Sequence, residues 1–143
     1  MKTLPRWMLY LLVFLATLGV SGAKAQLGNV VHFKMSTAFV AGDATFPAGD
    51  YRIRRAPGNN PNRLILSNAE STNSVFLVCK PIKGKGPAEK TVLIFHRYDK
   101  TLYLNKIWRA HNTGGILLPI GPPEETDMKS GEPKEESVPG TEE

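Results

Sequence analysis

Phe46-Pro47-Ala48-Gly49-Asp50-Tyr51-Arg52-Ile53-Arg54-Arg55 is the stretch that decides how this chain folds. Tyr51 and Ile53 alternate with Arg52 and Arg54, a period of two that belongs to a β-strand with one face in an apolar core and the other in water. Pro47 restricts φ and Gly49 tolerates positive φ, so Pro-Ala-Gly reads as a turn that delivers Tyr51 and Ile53 to the core in register.

The same reading extends in both directions. Short apolar runs predict strands at 30–35, 37–41, 51–55, 63–67, 74–80, 91–97, 102–109 and 116–118. Between them lie turn formers such as Ala41-Gly42-Asp43, Pro57-Gly58-Asn59-Asn60-Pro61, Tyr98-Asp99-Lys100-Thr101 and Asn112-Thr113-Gly114-Gly115. After Ala25 no apolar stripe of period 3.6 persists for three turns. The expectation is an all-β domain: one small antiparallel β-barrel or β-sandwich of about 7–8 strands spanning 26–120. Val75-Phe76-Leu77-Val78 and Val92-Leu93-Ile94-Phe95 are apolar on both faces, which predicts central or covered strands and leaves room for a homodimer.

The ends of the chain read differently. Lys2 and Arg6 precede an apolar run from Met8 to Val20, and Ala23-Lys24-Ala25 supplies small residues for cleavage. Residues 1–25 therefore read as a signal peptide, too short in apolar length for a membrane span of about 20 residues. A periplasmic or secreted location follows, with no transmembrane span after cleavage. Residues 121–143 carry eight acids and two bases, with almost no aliphatic residue, and predict a disordered acidic tail. Residues 26–120 carry 13 bases and five acids. Such a split points either to an anionic partner or to a tail that folds back onto the body. Cys79 is alone, so no internal disulfide is available, and it reads as a buried small hydrophobe.

Candidate binding residues are the cations on strand faces and in the longest break. Arg52, Arg54 and Arg55, with Arg63 on the next strand, form a ridge if those strands pair across the 57–61 turn. Guanidinium groups there suit phosphates, sulfates or uronic acids. Lys83 and Lys85 lie in a basic, mobile loop expected over 81–90, and Arg97 follows His96 at a strand end. His96, flanked by Val92 and Ile94 at period two, reads as a half-buried histidine with a hydrogen-bond partner. Catalytic residues and metal ligands are expected to be absent. No Gly-x-Ser-x-Gly, Ser-x-x-Lys, Cys-x-x-Cys or His-Glu-x-x-His occurs, and neither a phosphate loop nor a dinucleotide motif calls for a cofactor. The body's acids sit almost entirely in predicted turns.

Phe39-Val40-Ala41-Gly42-Asp43, Phe46-Pro47-Ala48-Gly49-Asp50-Tyr51-Arg52-Ile53, Phe95-His96-Arg97-Tyr98 and Leu104 with Ile107-Trp108 together resemble a group of small exported bacterial proteins common in soil-dwelling Acidobacteria. The likeness spans about residues 30–120. It implies an envelope or secreted setting and a β-rich fold, without implying an activity. The acidic tail departs from the shorter ending of that group.

The resulting expectation is an exported, non-enzymatic binding module that engages an anionic envelope component, an acidic polysaccharide or a protein partner through basic strand faces. The tail would compete with that ligand, so deleting 121–143 would strengthen salt-sensitive binding. The alternatives are a structural, self-associating envelope protein and an enzyme without a recognisable motif. Basic strands with nearby aromatics also suit single-stranded nucleic acid, but an export signal argues against that partner.

Overall fold

The computed structural model describes residues 30–143; the expected leader lies outside them. Eleven strands and one helix follow in chain order: β1 Val31–Met35, β2 Phe39–Ala41, β3 Ala44–Phe46, β4 Gly49–Arg55, β5 Arg63–Asn68, β6 Ser74–Val78, β7 Lys80–Lys83, β8 Val92–Tyr98, β9 Thr101–Trp108, β10 Gly114–Leu117, α1 Pro122–Met128 and β11 Lys134–Glu142. Every predicted strand is present. Three more, β3, β7 and β11, bring the number above the expected 7–8.

Hydrogen-bonded neighbours run β3-β2-β9-β8-β11-β1-β4-β5-β6. Only Cys79 separates β6, which pairs with β5, from β7, which pairs with β10; β10 in turn pairs with β9. The path therefore returns to β9 and forms a nearly closed, barrel-like wall. Neighbours are antiparallel throughout, apart from one parallel pairing of Val40 in β2 with Tyr103 in β9. At the β8–β9 hairpin, Asp99 takes φ 54°, a conformation Asp tolerates in a two-residue loop. Further along, Asn105 is the extra residue of a β-bulge: Phe95 faces Leu104 while Ile94 faces Lys106. The bulge turns the Asn105 carbonyl to accept from Leu118 N at 2.7 Å, which ties down the chain leaving β10.

Inside the barrel, alternation does what the opening stretch predicts. Tyr51 and Ile53 are buried, and the Tyr51 hydroxyl donates to the carbonyl of Pro47 in the turn before it. Phe39 is the hub of the core, with ring centroids 5.0 Å from Tyr51, 5.3 Å from Phe46, 5.7 Å from Phe95 and 5.9 Å from Phe33. Three of the four pairs are edge-to-face, the arrangement ring quadrupoles favour. The opposite end of the interior is aliphatic, lined by Val31, Ile53, Leu64, Ile107 and Ile116. Cys79 is buried in the same core.

Residues 121–143 correct the expectation of a disordered tail. They form α1 and then β11, which lies between β1 and β8 and joins the two halves of the wall. Composition misleads here because β11 needs little apolar surface of its own. Its one aliphatic residue, Val138, packs against the core, and Gly140 lets Leu93, Thr91 and Val31 close in to 3.0–3.2 Å of where a Cβ would stand. Pro139 is tolerated within a strand because Gly140 N donates toward β8, to Thr91 O. By alternation the missing N–H of Pro139 then faces β1, whose pairing with β11 ends at Phe33↔Gly140. The folded unit thus extends past 120 through Glu142. The predicted loop 81–90 is likewise shorter than expected, since 81–83 belong to β7. Beyond β7, Ala88 bridges to Ala110 and Gly84 N donates to Thr113 O.

Candidate functional site

The outer face of β4, β5 and β6 holds the largest group of the predicted binding residues. Pairing of β4 with β5 sets Arg52 opposite Ser67 and Arg54 opposite Ile65; pairing of β5 with β6 sets Ile65 opposite Phe76 and Arg63 opposite Val78. Because Tyr51, Ile53, Leu64, Leu66 and Leu77 point inward, their alternating neighbours share the outside. Arg52 is anchored by Nε to Ser67 Oγ at 3.3 Å and by Nη2 to the hydroxyl of Ser71. Arg63 lies over the Phe76 ring with Cζ 4.7 Å from its centroid, a cation–π contact. Phe76 and Val78 are 59% and 64% exposed, unusual for large apolar side chains of a strand.

This face combines guanidinium forks with an aromatic and an aliphatic surface. Arg52, Arg54 and Arg63 are brought together, as the ridge required. The remaining predicted residues are placed elsewhere. Arg55, at the end of β4, has the inward parity of Tyr51 and Ile53 and lies at the open end of the barrel, where its Nη1 donates to Pro61 O at 3.3 Å. Lys83 ends β7 against Gly114 of β10, and Lys85 lies in the loop beyond. Arg97 is bound to Glu136 of β11 at 2.5 Å. Phe76 and Val78 are the residues that pattern reading missed. Their signal was present in the alternation with Val75 and Leu77, but a run apolar on both faces does not say which face is covered.

The charge split is explained by folding. Among the described residues, three ion pairs, Arg97–Glu136, Lys106–Glu135 and Arg109–Glu142, and two histidine–carboxylate contacts, His32–Glu143 and His96–Glu124, each join a body base to an acid from 121–143. The acids of β11 thereby neutralise bases on β8 and β9. Of the two expectations for that split, the fold-back of the tail is what the structure contains. Pairing as a strand leaves β11 unable to act as a free competitor.

A second polar cluster fastens α1 to the barrel. Glu124, 4% exposed, meets His96 Nδ1 at 2.7 Å and accepts from the Tyr98 hydroxyl at 3.2 Å. The Tyr103 hydroxyl is 2.5 Å from Asp127 Oδ2 and 3.2 Å from Pro123 O. His96 thus has the partner expected for a half-buried histidine. Burial, then the charge and hydrogen bond of Glu124, push the Tyr98 hydroxyl up to about 12. Burial and the bond to Asp127 raise Tyr103 as well, and burial raises Tyr51. The folded chain holds these protons more tightly than an unfolded chain, whose tyrosines titrate near about 10. The contribution of Tyr98 to stability is thus complete below that pH and disappears as pH rises through about 12, and those of Tyr51 and Tyr103 are likewise lost as pH rises above the unfolded value. Tyrosinate absorbance from Tyr51, Tyr98 and Tyr103 is expected to appear together with loss of the circular dichroism signal. Their ionisation near pH 10 with the fold intact would contradict this account.

Among the described residues, no group of three His, Cys, Asp or Glu side chains could hold a metal ion, and no helix is long and apolar enough to cross a membrane. Fold and site define a small antiparallel barrel-like β domain with a cationic, partly apolar outer face. No protein family, curated protein or solved structure matches the chain.

Proposed function

We propose that this protein is an exported, non-enzymatic binding module of the periplasm or extracellular space, which engages an anionic envelope component through the outer face of β4, β5 and β6. The observation that carries the reading is the convergence of Arg52, Arg54 and Arg63 beside exposed Phe76 and Val78. An acidic polysaccharide matches this surface best. Arg54 and Arg63 would fork onto uronate carboxylates, while the Phe76 ring offers a flat apolar surface for a sugar face. Export rests on the leader-like residues 1–25.

Co-sedimentation with isolated envelope and with polygalacturonate, at low and moderate salt, tests the reading. The unaltered protein is expected to bind at low salt and to weaken as salt rises. Arg54→Ser combined with Arg63→Ser is expected to weaken binding about tenfold, because each exposed charge pair contributes up to about 1 kcal/mol. Unchanged binding by the double variant would sink the proposal. A second reading, self-association through β6, is favoured by the exposure of Phe76 and Val78 on the strand that ends the sheet order. Light scattering on the same samples separates the two, since a monomer at micromolar concentration counts against self-association.

A further inference from the structure

We propose that the open end of the barrel beside Arg55 and Arg109 is a separate ligand site for a small anionic amphiphile, with one carboxylate or phosphate head on a short alkyl chain. A cleft of about 320 Å³ lies there, between the end of β4, the start of β5, β7 and β10. A smaller void of about 30 Å³ adjoins it, sharing Arg55, Leu64, Arg109 and Ile116 with the cleft and lined besides by Arg54 and by Val31, Ile53 and Ile107 of the core. The site is polar at the rim and aliphatic at the floor.

The rim is cationic and held in place. Arg55 is fixed by its bond to Pro61 O, which uses one of the five N–H donors of a guanidinium. Arg109 is gripped by Glu142 through Nε at 3.1 Å and Nη2 at 3.4 Å, and Glu142 also accepts from Thr91 Oγ1 at 2.8 Å. Two guanidinium groups against one carboxylate leave the rim with a net positive charge. Asn62 and Asn112 add amides at the same opening.

Ligand chemistry follows from matching both parts. An uncharged alkane would take water from Arg55 and give nothing back, whereas a bare inorganic anion would leave the aliphatic floor unfilled. An anionic head on an alkyl chain satisfies rim and floor together. Chain length is limited because the inner void has room for about one methylene group or one water, and the aromatic cluster around Phe39 fills the interior beyond. A long acyl chain does not fit.

Calorimetric titration with octanoate, octyl phosphate, octanol and acetate tests the site. Octanoate or octyl phosphate is expected to bind at least about tenfold more tightly than octanol or acetate, the tighter of the two identifying the preferred head. Arg55→Gln is expected to weaken that binding about tenfold, and Arg63→Gln to leave it unchanged. Octanoate should also raise the thermal unfolding midpoint of the unaltered protein, a readout that needs no substitution. Octanol binding as tightly as octanoate, Arg55→Gln binding like the unaltered protein, or absent heat with an unchanged unfolding midpoint would each overturn the proposal.

Discussion

Ending the chain before β11, at residue 133, is expected to abolish cooperative folding. β11 pairs with β8 over six positions and with β1 over three, and it is the strand that connects the β1-β4-β5-β6 half of the wall to the β8-β9 half. Without it, the inner flanks of Leu93 and Val31 open to water, and β1 and β8 each expose a row of backbone donors and acceptors. Ion pairs to Glu135, Glu136 and Glu142 and the His32–Glu143 contact vanish as well, though the exposed ones among them contribute little. The loss is on the scale of the whole stability of such a domain, about 5–15 kcal/mol. Thermal unfolding followed by circular dichroism checks this. A sharp transition within a few degrees of the full chain would mean the barrel closes without β11. The result also bears on function: a gain in ligand binding after removal of 121–143 cannot be read as unmasking when the fold itself is lost.

Phe39→Ala is expected to destabilise the fold by about 3–5 kcal/mol, the usual cost of emptying a buried phenylalanine site. Phe39 is 1% exposed and touches four other rings, each of which is also held by another ring of the cluster and so cannot freely collapse into the gap. The neighbouring strand segments are short, β2 and β3 having three residues each, so backbone pairing compensates little. A midpoint shift in urea at unchanged slope measures the loss directly. A cost under about 1 kcal/mol would show that the aromatic end of the barrel is loosely packed.

Much of the fold was legible from local pattern. Strands β1, β2, β4, β5, β6, β8, β9 and β10 all overlap predicted segments, because each carries apolar residues at a spacing that a pleated backbone turns toward one side. The Arg52, Arg54 and Arg63 ridge was legible for the same reason: alternation plus one turn sets their common face. Arg55 shares the parity of Tyr51 and Ile53, so alternation already turns it away from Arg52 and Arg54. That it lines an opening instead of the packed core was not legible, because where the barrel ends is a long-range matter.

By itself the sequence determined the period-two strands, the turns between them, the inward register of Tyr51 and Ile53, and the uneven charge along the chain. Those are properties of neighbouring residues and their φ/ψ preferences. Only the tertiary structure decided that Lys134–Glu142 is a strand, that the acids of the tail pair with bases of the body, and that Phe76 and Val78 face outward. β11 has almost no apolar residues and contains Pro139, so nothing local favours it. Its stability comes from hydrogen bonds and ion pairs offered by β1 and β8, strands about 100 and 40 residues earlier in the chain.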